Sequence, residues 1–308
     1  MVSKSTRRSE TIAICLIILA FAVISGGIFL LNPDNNASAP KIAVKTEAEE
    51  EKEEQLPEIT EASKLPDAID FQSTIDDWAG SIGGNKSVVI YDLERGEISA
   101  EYNALEDYNT ASLYKLFVAY EGYRRVFNGT WSSEAFAGST GRTILECLDL
   151  AIRESNSPCA ETLWNMIGHT ELDSIVRSDF LITNSNISSL ISNASDIAKM
   201  MKIFYEHKEI ADETLVARMI DSFLNQPITT YNWRQGLPSG FSRARVYNKV
   251  GWDYNPNGGY WNIYHDAAIV EFPEENRHFI VVVMTNRVPF QKIKELGTLL
   301  EDVFYSRF

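Results

Sequence analysis

Apolar and polar positions change rhythm several times along the 308 residues of the chain. Residues 11 to 31, TIAICLIILAFAVISGGIFLL, carry no charge, and a helix of that length spans a bilayer core of about 30 Å. Residues 32 to 66 hold Pro, Ala, Asn and the run AEEEKEE with almost no large apolar side chain, which predicts a disordered acidic linker. Periodicity starts at Ile69: with Phe71, Ile75 and Trp78 it predicts a helix over 68–80. SVVIYDL (87–93) and EISAEYN (97–103) flank Glu94, Arg95 and Gly96, the pattern of a hairpin. From 111 to 225 apolar residues recur at three and four spacing, in GRTILECLDLAIRES, CAETLWNMIG, ASDIAKMMKIFYEH and ETLVARMIDSFLNQ. Strand patterns return in ARVYNKVGW (244–252), HDAAIVEF (265–272) and HFIVVVMTN (278–286), and PFQKIKELGTLLEDVFY closes the chain as a helix.

Helix, two strands, helical block, three strands and helix predict an α/β chain of the α+β kind. One antiparallel sheet is completed by both ends of the chain, flanked by helices, and carries an inserted all-helical lobe at about 111–238. The expected organisation is a cytoplasmic N-terminus (1–10), a transmembrane anchor (11–31), the linker (32–66) and one folded domain (67–308).

Charge adds an orientation. Lys4, Arg7 and Arg8 precede the apolar run, so the short N-terminus is expected inside and the rest outside. Ala37, Ser38 and Ala39 offer a rival reading, a cleaved signal peptide. The apolar run exceeds the usual signal core of about 7 to 15 residues, and Pro40 would follow the cut, so the uncleaved anchor is the expectation. Residues 67–308 carry −12 of the −15 total charge, which argues against nucleic acid as a partner. Cys15 lies in the apolar run. Cys147 and Cys159, twelve apart on neighbouring predicted helices, are either a disulfide or two small buried thiols.

The candidate chemistry begins at NTASLYKL (109–116). Asn109 and Thr110 are capping types, which places Ser112 in a first helical turn and Lys115 on the same face, where its amine can take the serine proton. A second SxxK, Ser38 to Lys41, contains Pro40 and lies in polar text, so it lacks the helix that the chemistry needs.

Ser112 to Lys115 (SLYK), Ser155 to Ser157 (SNS) and Lys249 to Gly251 (KVG) follow one another on a helix start, a loop and a strand. Their order and context resemble the penicillin-recognising serine hydrolases, the family of class A β-lactamases and penicillin-binding proteins, with motifs SxxK, SDN and KTG. IYDLERGE, GLPSG and HDAAIV extend the resemblance over about 67–308. The resemblance implies Ser112 as nucleophile, Lys115 as its base and Ser155 as the proton relay to the leaving nitrogen. The backbone N–H groups of Ser112 and Trp252 would form the oxyanion hole, and Ser157, Lys249, Val250 and Gly251 would bind substrate. It implies no metal and no cofactor.

Three departures stand out. Ser157 replaces the amide of SDN, and Val250, which cannot donate a hydrogen bond, replaces the threonine of KTG. The segment 168–192 lacks the ExxLN pattern whose glutamate clears the acyl-enzyme in class A β-lactamases; Glu171, Asp173 and Asp179 are its carboxylates and read as surface or capping acids. The expected function is a membrane-anchored, extracytoplasmic, class A β-lactamase-like serine hydrolase acylated by β-lactams or related peptides. The alternatives are a D,D-peptidase or transpeptidase on cell-wall peptides, and a catalytically weak binding or sensor module of the same fold.

Overall fold

In the computed structural model, residues 65–224, 232–255 and 260–307 are described. The expected N-terminus, anchor and all but the last two residues of the linker lie outside them. Among the described residues no helix is long and apolar enough to cross a membrane.

The first helix, α1 (Gln72–Ser81), starts later than its apolar pattern; Ile69 and Phe71 are buried in the segment leading into it. The hairpin β1 (Asn85–Asp92) and β2 (Glu97–Tyr102) follows as expected. β5 (Arg245–Asn255), β6 (Tyr260–Phe272) and β7 (Arg277–Asn286) complete an antiparallel sheet ordered β2-β1-β7-β6-β5, so β5 is an edge strand. Alternation along β7 sorts its side chains into two cores. Ile280, Val282 and Met284 face the helical block, while Phe279, Val281 and Val283 face α1 and the closing helix α9 (Phe290–Tyr305).

The helical block contains α2 (Tyr114–Phe127), α3 (Ile144–Arg153), α4 (Ser157–Ile167), α6 (Ala194–Glu206) and α7 (Glu213–Leu224). Thr143 and Glu146 form a reciprocal capping box at the start of α3. Two features escape the hydrophobic pattern. The segment around 168–178 folds as a further helix, α5 (His169–Ser178), and Tyr108–Asn109 (β3) pairs with Ile191–Ser192 (β4) in a two-stranded ladder. A short helix, α8 (Leu237–Gly240), packs against α9, where Gly240 meets Gly297.

Candidate active site

The expected placement of Ser112 in the first turn of an α-helix needs correction. Ala111–Leu113 forms a 3₁₀ turn, and α2 begins only at Tyr114. The reason is local: Ala111 has φ 44°, the left-handed region, which a non-glycine residue adopts only when its surroundings hold it there. Asn109 Oδ1 accepts from the Ala111 N–H at 2.8 Å, and the Thr110 N–H donates to the Leu190 carbonyl at 2.8 Å. On the other side the Asn109 carbonyl meets Nε2 of the buried His265 at 2.8 Å. Nδ1 of that ring accepts from the Thr285 N–H at 2.9 Å, so Nε2 carries the proton. Burial pushes His265 down to about 4, which keeps it in this neutral form.

Lys115 has no exposed surface. Its Nζ stands 3.1 Å from Ser112 Oγ, 2.6 Å from the Ser155 carbonyl, 3.3 Å from Ser155 Oγ and 3.0 Å from Ser157 Oγ. Burial lowers Lys115 to about 8, with the charge of Glu161 opposing. A neutral amine has two N–H donors and one lone pair. Here the donors suit the Ser155 carbonyl and Ser157 Oγ, leaving the lone pair for the Ser112 hydroxyl.

Lys249 is likewise buried, and its Nζ donates to Ser155 Oγ at 2.9 Å and to the Val250 carbonyl at 2.6 Å. Burial first, and the neighbouring Lys115 second, push it well below the usual lysine value, while Asp266 pulls the other way. Ser155, itself at φ 54°, thus bridges two lysines at the end of α3.

Asn156 caps α4 by accepting from the Cys159 N–H at 3.0 Å, which fixes Ser157 as the first residue of that helix. The sulfurs of Cys147 and Cys159 are bonded, with Cα atoms 4.9 Å apart. The bond ties α3 to α4 on either side of the SNS loop.

On β5, Lys249 and Gly251 alternate with Val250 and Trp252. A Cβ at Gly251 would lie 2.6 Å from the Thr110 carbonyl oxygen and 2.9 Å from Leu113 Cγ. The strand therefore passes close over the Ala111–Leu113 turn, and Trp252 follows at once. Val250 is buried, and the Trp252 ring packs among those of Trp233, Tyr264 and Phe290.

The three carboxylates of 168–192 do other work. Glu171 pairs with Arg125 at 2.5 Å, and Asp179 pairs with both terminal nitrogens of Arg124 at 2.9 Å. Those arginines lie ten and eleven residues into α2, roughly 15 Å along its axis from the Ala111–Leu113 turn. Asp173 accepts from the Ile187 and Ser188 N–H groups at 2.7 and 3.1 Å.

Sequence reasoning missed the support beneath Lys249. Asp266 accepts from Asn248 Nδ2 and from the Leu237 N–H, both at 2.8 Å, and burial pushes it up to about 7. Arg234 reaches the Val246 and Phe223 carbonyls and Asn248 Oδ1. The signal was HDAAIV, in which two ionisable residues head a strand of otherwise small or apolar ones. A cavity of about 600 Å³ lies elsewhere, lined by Phe204, Tyr205, Phe223, Tyr247 and His278 among others. Its lining holds no serine, threonine or cysteine, so the Ser112 cluster is the candidate site.

No protein of curated function matches the chain. Solved structures do. A β-lactamase from Chitinophaga pinensis is 16% identical with a TM-score of 0.64, covering 75% of this chain and 98% of its own. An ancestral class A β-lactamase is 16% identical at TM-score 0.64, covering 76% of this chain and 100% of its own. The protein called PBP-A is 15% identical at TM-score 0.64, covering 77% and 96%. At these identities the likeness concerns the fold. The model of the β-lactamase enzyme family matches residues 70–303, a stretch that takes in the whole sheet and every element around Ser112. On that match the chain belongs to the β-lactamase enzyme family.

Proposed function

We propose that the protein is a serine hydrolase that forms an acyl-enzyme through Ser112 with β-lactams or related peptides. The observation that carries this reading is the contact of Lys115 Nζ with Ser112 Oγ at 3.1 Å, made by a lysine with no exposed surface. Neutral Lys115 takes the hydroxyl proton as Oγ bonds to the substrate carbonyl carbon. The N–H groups of Ser112 and Trp252 receive the developing oxyanion. Ser155 gives its proton to the departing nitrogen and is resupplied by Lys115, which closes the proton circuit and leaves Ser112 acylated.

Ser157 and Lys249 hold the relay, Gly251 lets β5 approach, and Val250 contributes its carbonyl rather than a hydroxyl. The uncharged run 11–31 supports anchoring of this domain outside the membrane. A peptidase or transpeptidase on cell-wall peptides is a second reading, favoured by the engagement of Glu171, Asp173 and Asp179 away from the cluster.

Labelling with a fluorescent penicillin tests the proposal: wild type labels and Ser112→Ala does not. Absence of labelling by any β-lactam or activated acyl-peptide would leave the fold as a binding module.

A further inference from the structure

Clearing an acyl-enzyme needs a group that takes a proton from water, and the acids of 168–192 are committed elsewhere. α4 presents another. Ser157, whose Oγ receives Lys115 Nζ at 3.0 Å, and Glu161 are four apart on that helix, so they share a face with Cβ atoms about 5–6 Å apart. Helical side chains lean toward the N-terminus, so the Glu161 side chain lies over the turn that begins with Ser157.

Glu161 is exposed, and among the described residues no hydrogen bond or ion pair engages its carboxylate. As the fifth residue of α4 it lies beyond the first turn, where a negative charge would be explained by the helix dipole. Its charge nonetheless reaches the site. It opposes the burial that lowers Lys115, and it adds to the burial that raises Tyr114, the residue before that lysine. The Tyr114 ring lies 4.8 Å from that of Trp164, three residues beyond Glu161, and the buried Trp164 Nε1–H has no hydrogen-bond partner among the described residues. Glu161 and Trp164, three apart, thus share one face of α4, the face that packs beside Tyr114.

We propose that Glu161 is the general base that activates water to clear the acyl group from Ser112. This rests on the acyl-enzyme reading above. Glu161 takes one proton of the water as the water oxygen bonds to the acyl carbonyl carbon. The C–Oγ bond then breaks as neutral Lys115 takes the proton held by Glu161 and passes one to Ser112 Oγ, so the free acid leaves and the site is restored.

The test uses the full chain in detergent and a penicillin, following adduct formation and loss by intact-protein mass spectrometry. In Glu161→Gln the adduct should form within about threefold of the wild-type rate and persist about 10² to 10⁴ times longer, the usual contribution of a general base. Glu161→Asp, one methylene shorter, should recover part of the loss. Exposure makes both substitutions mild for folding, and a thermal midpoint checks this. An adduct lifetime in Glu161→Gln within about threefold of wild type overturns the assignment, as does an equal fall in formation and loss. If wild type forms no adduct at all, the acyl-enzyme reading fails and this assignment with it.

Discussion

Gly251 and the carbonyl of Thr110 are so close that a single added carbon would stand 2.6 Å from the oxygen. The edge strand and the nucleophile turn are therefore one mechanical unit. Gly251→Ala should force them apart, cutting acylation by at least about tenfold and costing about 1–3 kcal/mol of stability, the usual range for overpacking. A variant with wild-type acylation and an unchanged urea midpoint would show that the contact is slack.

The second prediction concerns pH. Lys115 acts as a base only when neutral, and burial brings it to about 8. Acylation by a neutral acyl donor should rise close to tenfold per pH unit between about 6 and 7.5 and level off above 8. Lys115→Ala should lose about 10²–10⁴ in rate. A wild-type profile flat from pH 6 to 8 would remove Lys115 from the base role.

Asp266 yields a prediction of stability. Its value is raised from 3.8 to about 7, so between those limits the folded chain holds a proton that the unfolded chain releases. Stability from this group is thus greatest below about pH 4 and is lost as pH rises through 7. Denaturation of wild type and Asp266→Asn at pH 5 and pH 8 should show wild type losing at least about 1 kcal/mol relative to the variant over that interval. The buried His265 contributes in the opposite sense, between about 4 and 6.5, and cancels in the comparison. A relative gain for wild type would contradict the assignment.

Reduction of the Cys147–Cys159 bond removes a short loop constraint, with an expected cost of about 2–3 kcal/mol. Because that bond spans the SNS loop, Cys147→Ser with Cys159→Ser should also slow acylation, by a smaller factor than loss of Lys115. Equal stability with and without reductant would show that the bond does not constrain the fold.

Much of this was legible before any coordinates. Strand alternation and helical spacing follow directly from which face of each element is buried, so the hairpin, β5–β7 and the main helices could be read from apolar residues alone. SLYK, SNS and KVG could be read because their chemistry needs particular residue types in order. The 3₁₀ turn at Ala111–Leu113 could not. It depends on ties from Leu190 and His265, remote in sequence, that hold Ala111 in a conformation alanine does not prefer. α5 was hidden because its ten residues carry only three large apolar side chains, Leu172, Ile175 and Val176, too few to mark a helical period. Glu161, one acid inside an amphipathic helix, reads as a solvated charge until the cap at Asn156 fixes which face of α4 meets Lys115.

The most direct test of the central claim is peptide-level mass spectrometry of the full chain after brief exposure to a penicillin. The account predicts a mass increase equal to the intact drug, confined to the peptide bearing Ser112 and absent in Ser112→Ala. An adduct on any other residue, or one that survives Ser112→Ala, would contradict it.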